Sequence, residues 1–93
     1  MAGNRAKRVI SDFYCINCGK KGIPVWRKRG HLREPGHRKA LYCTTCGRVV
    51  NHIEIRTMEE AEKFRKEYAE GKYAEEARES IQYALAREEV QDA

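Results

Sequence analysis

Cys15-Ile16-Asn17-Cys18-Gly19 and Cys43-Thr44-Thr45-Cys46-Gly47 are the stretches on which the reading of this chain turns. Each is a Cys-x-x-Cys turn followed by glycine, and residues 19–42 lie between the pairs. A Cys-x-x-Cys turn offers two sulfurs from one tight loop, and the glycine admits a backbone conformation closed to other residues. Four sulfurs delivered in two such pairs match a tetrahedral Zn²⁺ site. The spacing leaves room for a β excursion out and back. Bound metal keeps the thiols ionised and supplies roughly 10–16 kcal/mol of apparent binding energy at neutral pH.

A chain of 93 residues, 41% hydrophobic and 35% charged with two Phe and one Trp, has a thin core and needs such a staple. No apolar run is long enough to cross a bilayer, and the basic start (Met1 to Arg8) leads into no apolar signal segment. The expectation is therefore a cytoplasmic chain with reduced thiols, which favours metal over a disulfide-stapled miniprotein. Redox cycling of a Cys-x-x-Cys normally accompanies a βαβ pattern, which is absent here. Four cysteines also close the shell that a catalytic zinc keeps open, so no enzyme is expected. His31, His37 and His52 are alternative ligands on paper. The simpler reading leaves the first two in the basic loop and His52 as an exposed residue on a strand.

Outward from the cysteines, Val9–Tyr14 reads as a strand, and Ile23–Trp26 as a short β-prone run that Pro24 confines to an edge. Arg27–Lys39, with Gly30, Pro35 and Gly36, reads as a loop. Val49, Val50, Ile53 and Ile55, with His52, Glu54 and Arg56 interleaved, give a further strand. At Thr57 the period changes. Thr57-Met58-Glu59-Glu60 fits a capping box in which Glu60 reaches back to the cap nitrogen. Glu59/Lys63 and Glu62/Lys66 form i,i+4 charge pairs. Two helices are predicted, about 58–70 and 73–90, with Gly71 as the break.

Residues 13–56 resemble a zinc ribbon, two cysteine-glycine knuckles on short antiparallel strands, as found in ribosomal, transcription and phage-encoded proteins. The resemblance implies an antiparallel β ribbon with one structural Zn²⁺ held by Cys15, Cys18, Cys43 and Cys46, and it carries no single function; with the two helices read from periodicity, the fold class expected is small α+β. The chain as a whole is similar in look to small phage or mobile-element proteins. The organisation expected is a basic tail (1–8), a zinc ribbon (9–57) with a basic excursion (20–39), and two acidic amphipathic helices (58–93), the latter as a hairpin.

Charge divides the same way. Residues 1–57 carry thirteen Lys/Arg against three acids, a net +10, and residues 58–93 six against eleven, a net −5. Between the knuckles stand Lys20, Lys21, Arg27, Lys28, Arg29, Arg33, Arg38 and Lys39, opposed only by Glu34. Such a cluster attracts a polyanion by releasing its counterions, and the reading is an accessory protein bound to RNA, DNA or a nucleoprotein. Trp26 and Tyr42 flank the cluster as possible base-stacking rings, although so few aromatics favour placing Trp26 in the core. The alternative is a protein-binding regulator or inhibitor of a nucleic-acid enzyme, either a polymerase or, if phage-encoded, a host defence nuclease such as a CRISPR effector. In that case Phe64, Tyr68, Tyr73, Ile81 and Leu85 of the helices add apolar anchors. A separate expectation, drawn from the charge asymmetry, is that Glu59, Glu60, Glu75, Glu76 and Glu79 mask the cationic loop until nucleic acid displaces them.

Overall fold

The computed structural model describes residues 8–28, 34 and 36–92, with side chains for 9–27, 34 and 36–87. Four strands, β1 (Arg8–Cys15), β2 (Val25–Lys28), β3 (Arg38–Cys43) and β4 (Arg48–Ile55), form one antiparallel curled sheet in the order β2-β1-β4-β3. Two helices follow, α1 (Met58–Ala69) and α2 (Ala74–Asp92). This is the small α+β architecture expected, an antiparallel ribbon followed by a helix pair.

Sequence chemistry sets the helix boundaries. Thr57 caps α1, its hydroxyl accepting from the Glu60 amide at 3.1 Å. The Glu60 carboxylate overshoots the expected cap nitrogen and accepts instead from the Arg56 amide at 2.8 Å, fixing the chain one residue before the helix. At the other end Gly71, at φ +80°, forms a complete Schellman cap: its amide donates to Tyr68 O and that of Lys72 to Glu67 O. The predicted Glu59/Lys63 and Glu62/Lys66 ion pairs do not close, since exposed long side chains gain little by ordering.

The helices cover one face of the sheet. Ile53 and Ile55 of β4 meet Ala61, Phe64, Tyr73 and Ala77, with Tyr14 tilted against Phe64 at a centroid distance of 5.4 Å. The Ser80 hydroxyl accepts from the Asn51 amide at 2.8 Å and pins α2 across β4. On the opposite face, Phe13 pairs in register with Glu54, and His52 lies two residues before Glu54 on the same strand; all three are buried. Residues 52–55 are therefore enclosed on both sides.

That enclosure corrects two expectations. His52 is 1% exposed, because β4 lies between β1 and β3 rather than at an edge, and its Nδ1 lies 2.8 Å from Val50 O. Trp26, expected inside, is 64% exposed: it pairs across the β2–β1 edge with Ile10, itself 45% exposed. Phe13 and Phe64 supply the large buried rings instead. The supposed loop 27–39 is also shorter than expected, since β2 runs on to Lys28 and β3 begins at Arg38. The tail 1–7 and, within the excursion, Arg29, Gly30, His31, Arg33 and Pro35 lie outside the described residues.

Candidate metal centre and its charged surroundings

Each knuckle grows from a strand end. β1 delivers Cys15 and β3 delivers Cys43; a turn then brings round Cys18 and Cys46. The turns close alike, with the Gly19 amide donating to Cys15 O at 2.8 Å and the Gly47 amide to Cys43 O at 2.7 Å. Both glycines sit at positive φ, +77° and +70°, where a side chain is strained.

The four sulfurs lie within 4.8 Å of one another. Cys15 Sγ is 3.8 Å from Cys46 Sγ, and Cys18 Sγ is 3.6 Å from Cys43 Sγ, so all four are free thiols rather than disulfides. A tetrahedral zinc with bonds of about 2.3 Å holds its sulfurs about 3.8 Å apart, so the constellation fits one metal ion. Polar hydrogens already point at the sulfurs. The Cys18 amide approaches Cys15 Sγ at 3.5 Å, the Cys46 amide approaches Cys43 Sγ at 3.4 Å, and Asn17 Nδ2 reaches across to Cys46 Sγ at 3.2 Å. Burial pushes the Cys15 and Cys18 thiols up. Burial acts on Cys43 too, but the Cys46 amide and neighbouring sulfurs outweigh it and hold that thiol below its usual range. A cation at the centre would supply the charge that favours the thiolate form of sulfur ligands.

The first knuckle is tied to α1. The Tyr68 hydroxyl donates to Asn17 O at 2.8 Å, and the Tyr68 ring lies so close to Gly19 that an added Cβ would stand 3.0 Å from it.

Acids hold three members of the predicted basic cluster. Arg27 is held bidentately by Glu54, Nε to Oε2 and Nη2 to Oε1 at 3.1 Å each, and Arg56 Nη1 approaches Oε2 at 2.8 Å. The Glu54 side chain is fully buried. Burial alone would raise its carboxyl, but the nearby Ser11 hydroxyl and the two guanidinium groups outweigh that and lower it. That hydroxyl, itself buried, makes no hydrogen bond of good geometry. Arg38 is claimed by Glu76 of α2, Nε to Oε2 at 2.8 Å and Nη2 to Oε1 at 3.3 Å, and lies 5.5 Å over the Tyr73 ring. Lys21 stands 3.5 Å from Asp12. Lys20 and Lys39 are exposed, while the side chains of Lys28, Arg29 and Arg33 lie outside the described residues. Three of the eight cations between the knuckles, Lys21, Arg27 and Arg38, are thus paired with acids outside that stretch, Asp12, Glu54 and Glu76. The alternation Ile53-Glu54-Ile55-Arg56 put Glu54 on a polar face; only the sheet order shows that this face is closed.

No helix among the described residues is long and apolar enough to cross a membrane. Comparison of the chain with protein-family models, with curated proteins and with solved structures found no match.

Proposed function

We propose that Cys15, Cys18, Cys43 and Cys46 hold one structural Zn²⁺, and that the chain is a non-catalytic zinc-ribbon accessory protein binding nucleic acid, free or within a nucleoprotein. All four zinc positions are taken by sulfur, so the metal shapes the protein and does no chemistry on a substrate. The observation that carries the nucleic-acid reading is the exposure of Trp26. A large ring left in water on a protein with so thin a core costs hydrophobic stabilisation, and a stacking platform for unpaired bases accounts for it. Its cross-strand partner Ile10 extends the apolar surface, and two residues along the strands Arg8 is paired in register with Lys28, where the basic excursion begins. In this reading bases stack at Trp26 while Lys20, Lys28, Arg29, Arg33 and Lys39 meet phosphates. Arg27 and Arg38 are engaged with acids and belong to the scaffold.

Titration of the zinc-loaded protein with single-stranded RNA and DNA tests this, read through the fluorescence of its sole tryptophan. Binding quenches that emission, and Trp26→Ala weakens affinity by the 1–3 kcal/mol, roughly 5- to 150-fold, of one stacked base. Changing Lys28, Arg29 and Arg33 to Ala lowers the slope of log affinity against log salt by about 0.7 for each phosphate that is no longer neutralised. Unquenched emission with no binding at low salt would reject the reading and favour the protein-binding regulator.

A further inference from the structure

The second half of α2 carries features that neither the metal nor the basic excursion uses. Ala77 is 1% exposed against the sheet, but further along Tyr83 is 65% and Leu85 43% exposed. Between this end of the helix and the β3–β4 face lies an open groove of about 700 Å³, with Ala40, Val49 and Asn51 on the sheet side and Ser80, Tyr83 and Ala84 on the helix side. Along the same rim Glu79, Tyr83 and Arg87 recur at intervals of four, which places them on one stripe. Arg87 lies 5.8 Å over its own Tyr83 ring, and neither Glu79 nor Arg87 forms an ion pair with any described residue.

The order of charge along that stripe is self-complementary. An acid stands four residues before Tyr83 and a base four residues after it. We infer that α2 is the contact surface of a homodimer, two copies packing antiparallel about a twofold axis at Tyr83. In that arrangement Glu79 of each copy faces Arg87 of the other, and each Tyr83 ring enters the groove of the opposite copy beside Ala40 and Val49. A twofold contact must present the same patch from both sides, and a stripe with opposite charges at equal distances from a central ring meets that condition. An unrelated partner helix would impose no such symmetry. The inference is independent of the nucleic-acid reading, though a dimer would place two Trp26 platforms on one assembly and strengthen binding to a strand long enough to reach both.

Sedimentation of the zinc-loaded full chain over a concentration series tests it, with circular dichroism and metal content as checks of folding. The wild type is expected to dimerise. Glu79→Arg alone, or Arg87→Glu alone, turns both cross-axis attractions into repulsions and weakens the dimer about tenfold or more. The double variant Glu79→Arg/Arg87→Glu restores opposite charges across the axis and is expected to recover the dimer. Tyr83→Ala weakens it without recovery. A wild type that stays monomeric at every concentration, a dimer indifferent to the single reversals, or a double variant no better than either single one would each overturn the proposal.

Discussion

Arg27 reaches across β1, over the Phe13 ring at 5.8 Å, to place two nitrogens on the carboxylate of Glu54, a residue with no exposed side-chain surface. β2 is not a neighbour of β4 in the sheet, so this bridge closes the curl across the strand between them. A buried charge pair adds little over an apolar substitute, but removing one member leaves the other stranded.

Glu54→Ala is therefore expected to cost about 3–5 kcal/mol, because the half-enclosed Arg27 loses its bidentate counter-charge and Arg56 loses the same carboxylate. Arg27→Ala should cost less, about 1.5–3 kcal/mol, since Arg56 remains on the carboxylate. Urea unfolding of the zinc-loaded proteins measures both. Equal costs would contradict the shared clamp.

Removing metal should unfold the ribbon. Native mass measurement is expected to give one zinc per chain, and a strong chelator to abolish the β-sheet circular dichroism signal. Any one of Cys15, Cys18, Cys43 or Cys46 changed to Ser should lower zinc affinity sharply. A chain that keeps its sheet without metal would show that the knuckles are not the staple.

The two knuckle glycines should respond differently to alanine. Both substitutions carry the strain of positive φ, about 1–2 kcal/mol. Nothing lies within 4 Å of a Cβ at Gly47, whereas one at Gly19 meets the Tyr68 ring at 3.0 Å. Gly19→Ala is expected to be the more damaging, and its cost measured in a Tyr68→Ala background to fall towards that of Gly47→Ala. Thermal midpoints of the wild type, the two glycine variants, Tyr68→Ala and the Gly19→Ala/Tyr68→Ala double variant decide it.

Stability should decline in alkali. Burial, and then the hydrogen bond its hydroxyl donates to Glu67 Oε1 at 2.6 Å, push the Tyr73 phenol up to about 12 from an unfolded value of 10.0. Between those values the folded chain still holds a proton that the unfolded chain has released, so stability falls as pH rises through the window. Tyr73→Phe should cost about 1.5–3 kcal/mol at neutral pH and flatten that decline. Urea midpoints from pH 9 to 12 test the difference in slope.

The metal centre and the helix pair were legible because their signals are local: two knuckle motifs, a Thr57 cap and a Gly71 stop. His52 and Trp26 stand otherwise than expected, and Glu54 is buried, because their surroundings are not local. Strand alternation tells which residues share a face, but not whether that face is covered. Only the order β2-β1-β4-β3 shows that β4 is enclosed and that Trp26 stands on an edge. The pairing of Arg38 with Glu76 joins residues on β3 and α2, and overall charge asymmetry gave its sign without its address.

Tyr68 gives the knuckle at Cys15–Gly19 a hold on α1 far along the sequence. An empty site would loosen the loop carrying Asn17 O, and the same ring stacks within 5.8 Å of Phe64 at the heart of the helix–sheet contact. Proteases would then find cleavable backbone in the helical arm whenever thiolates lack their ion. Supply of the metal ion would thereby govern how long each copy of such a protein resists digestion.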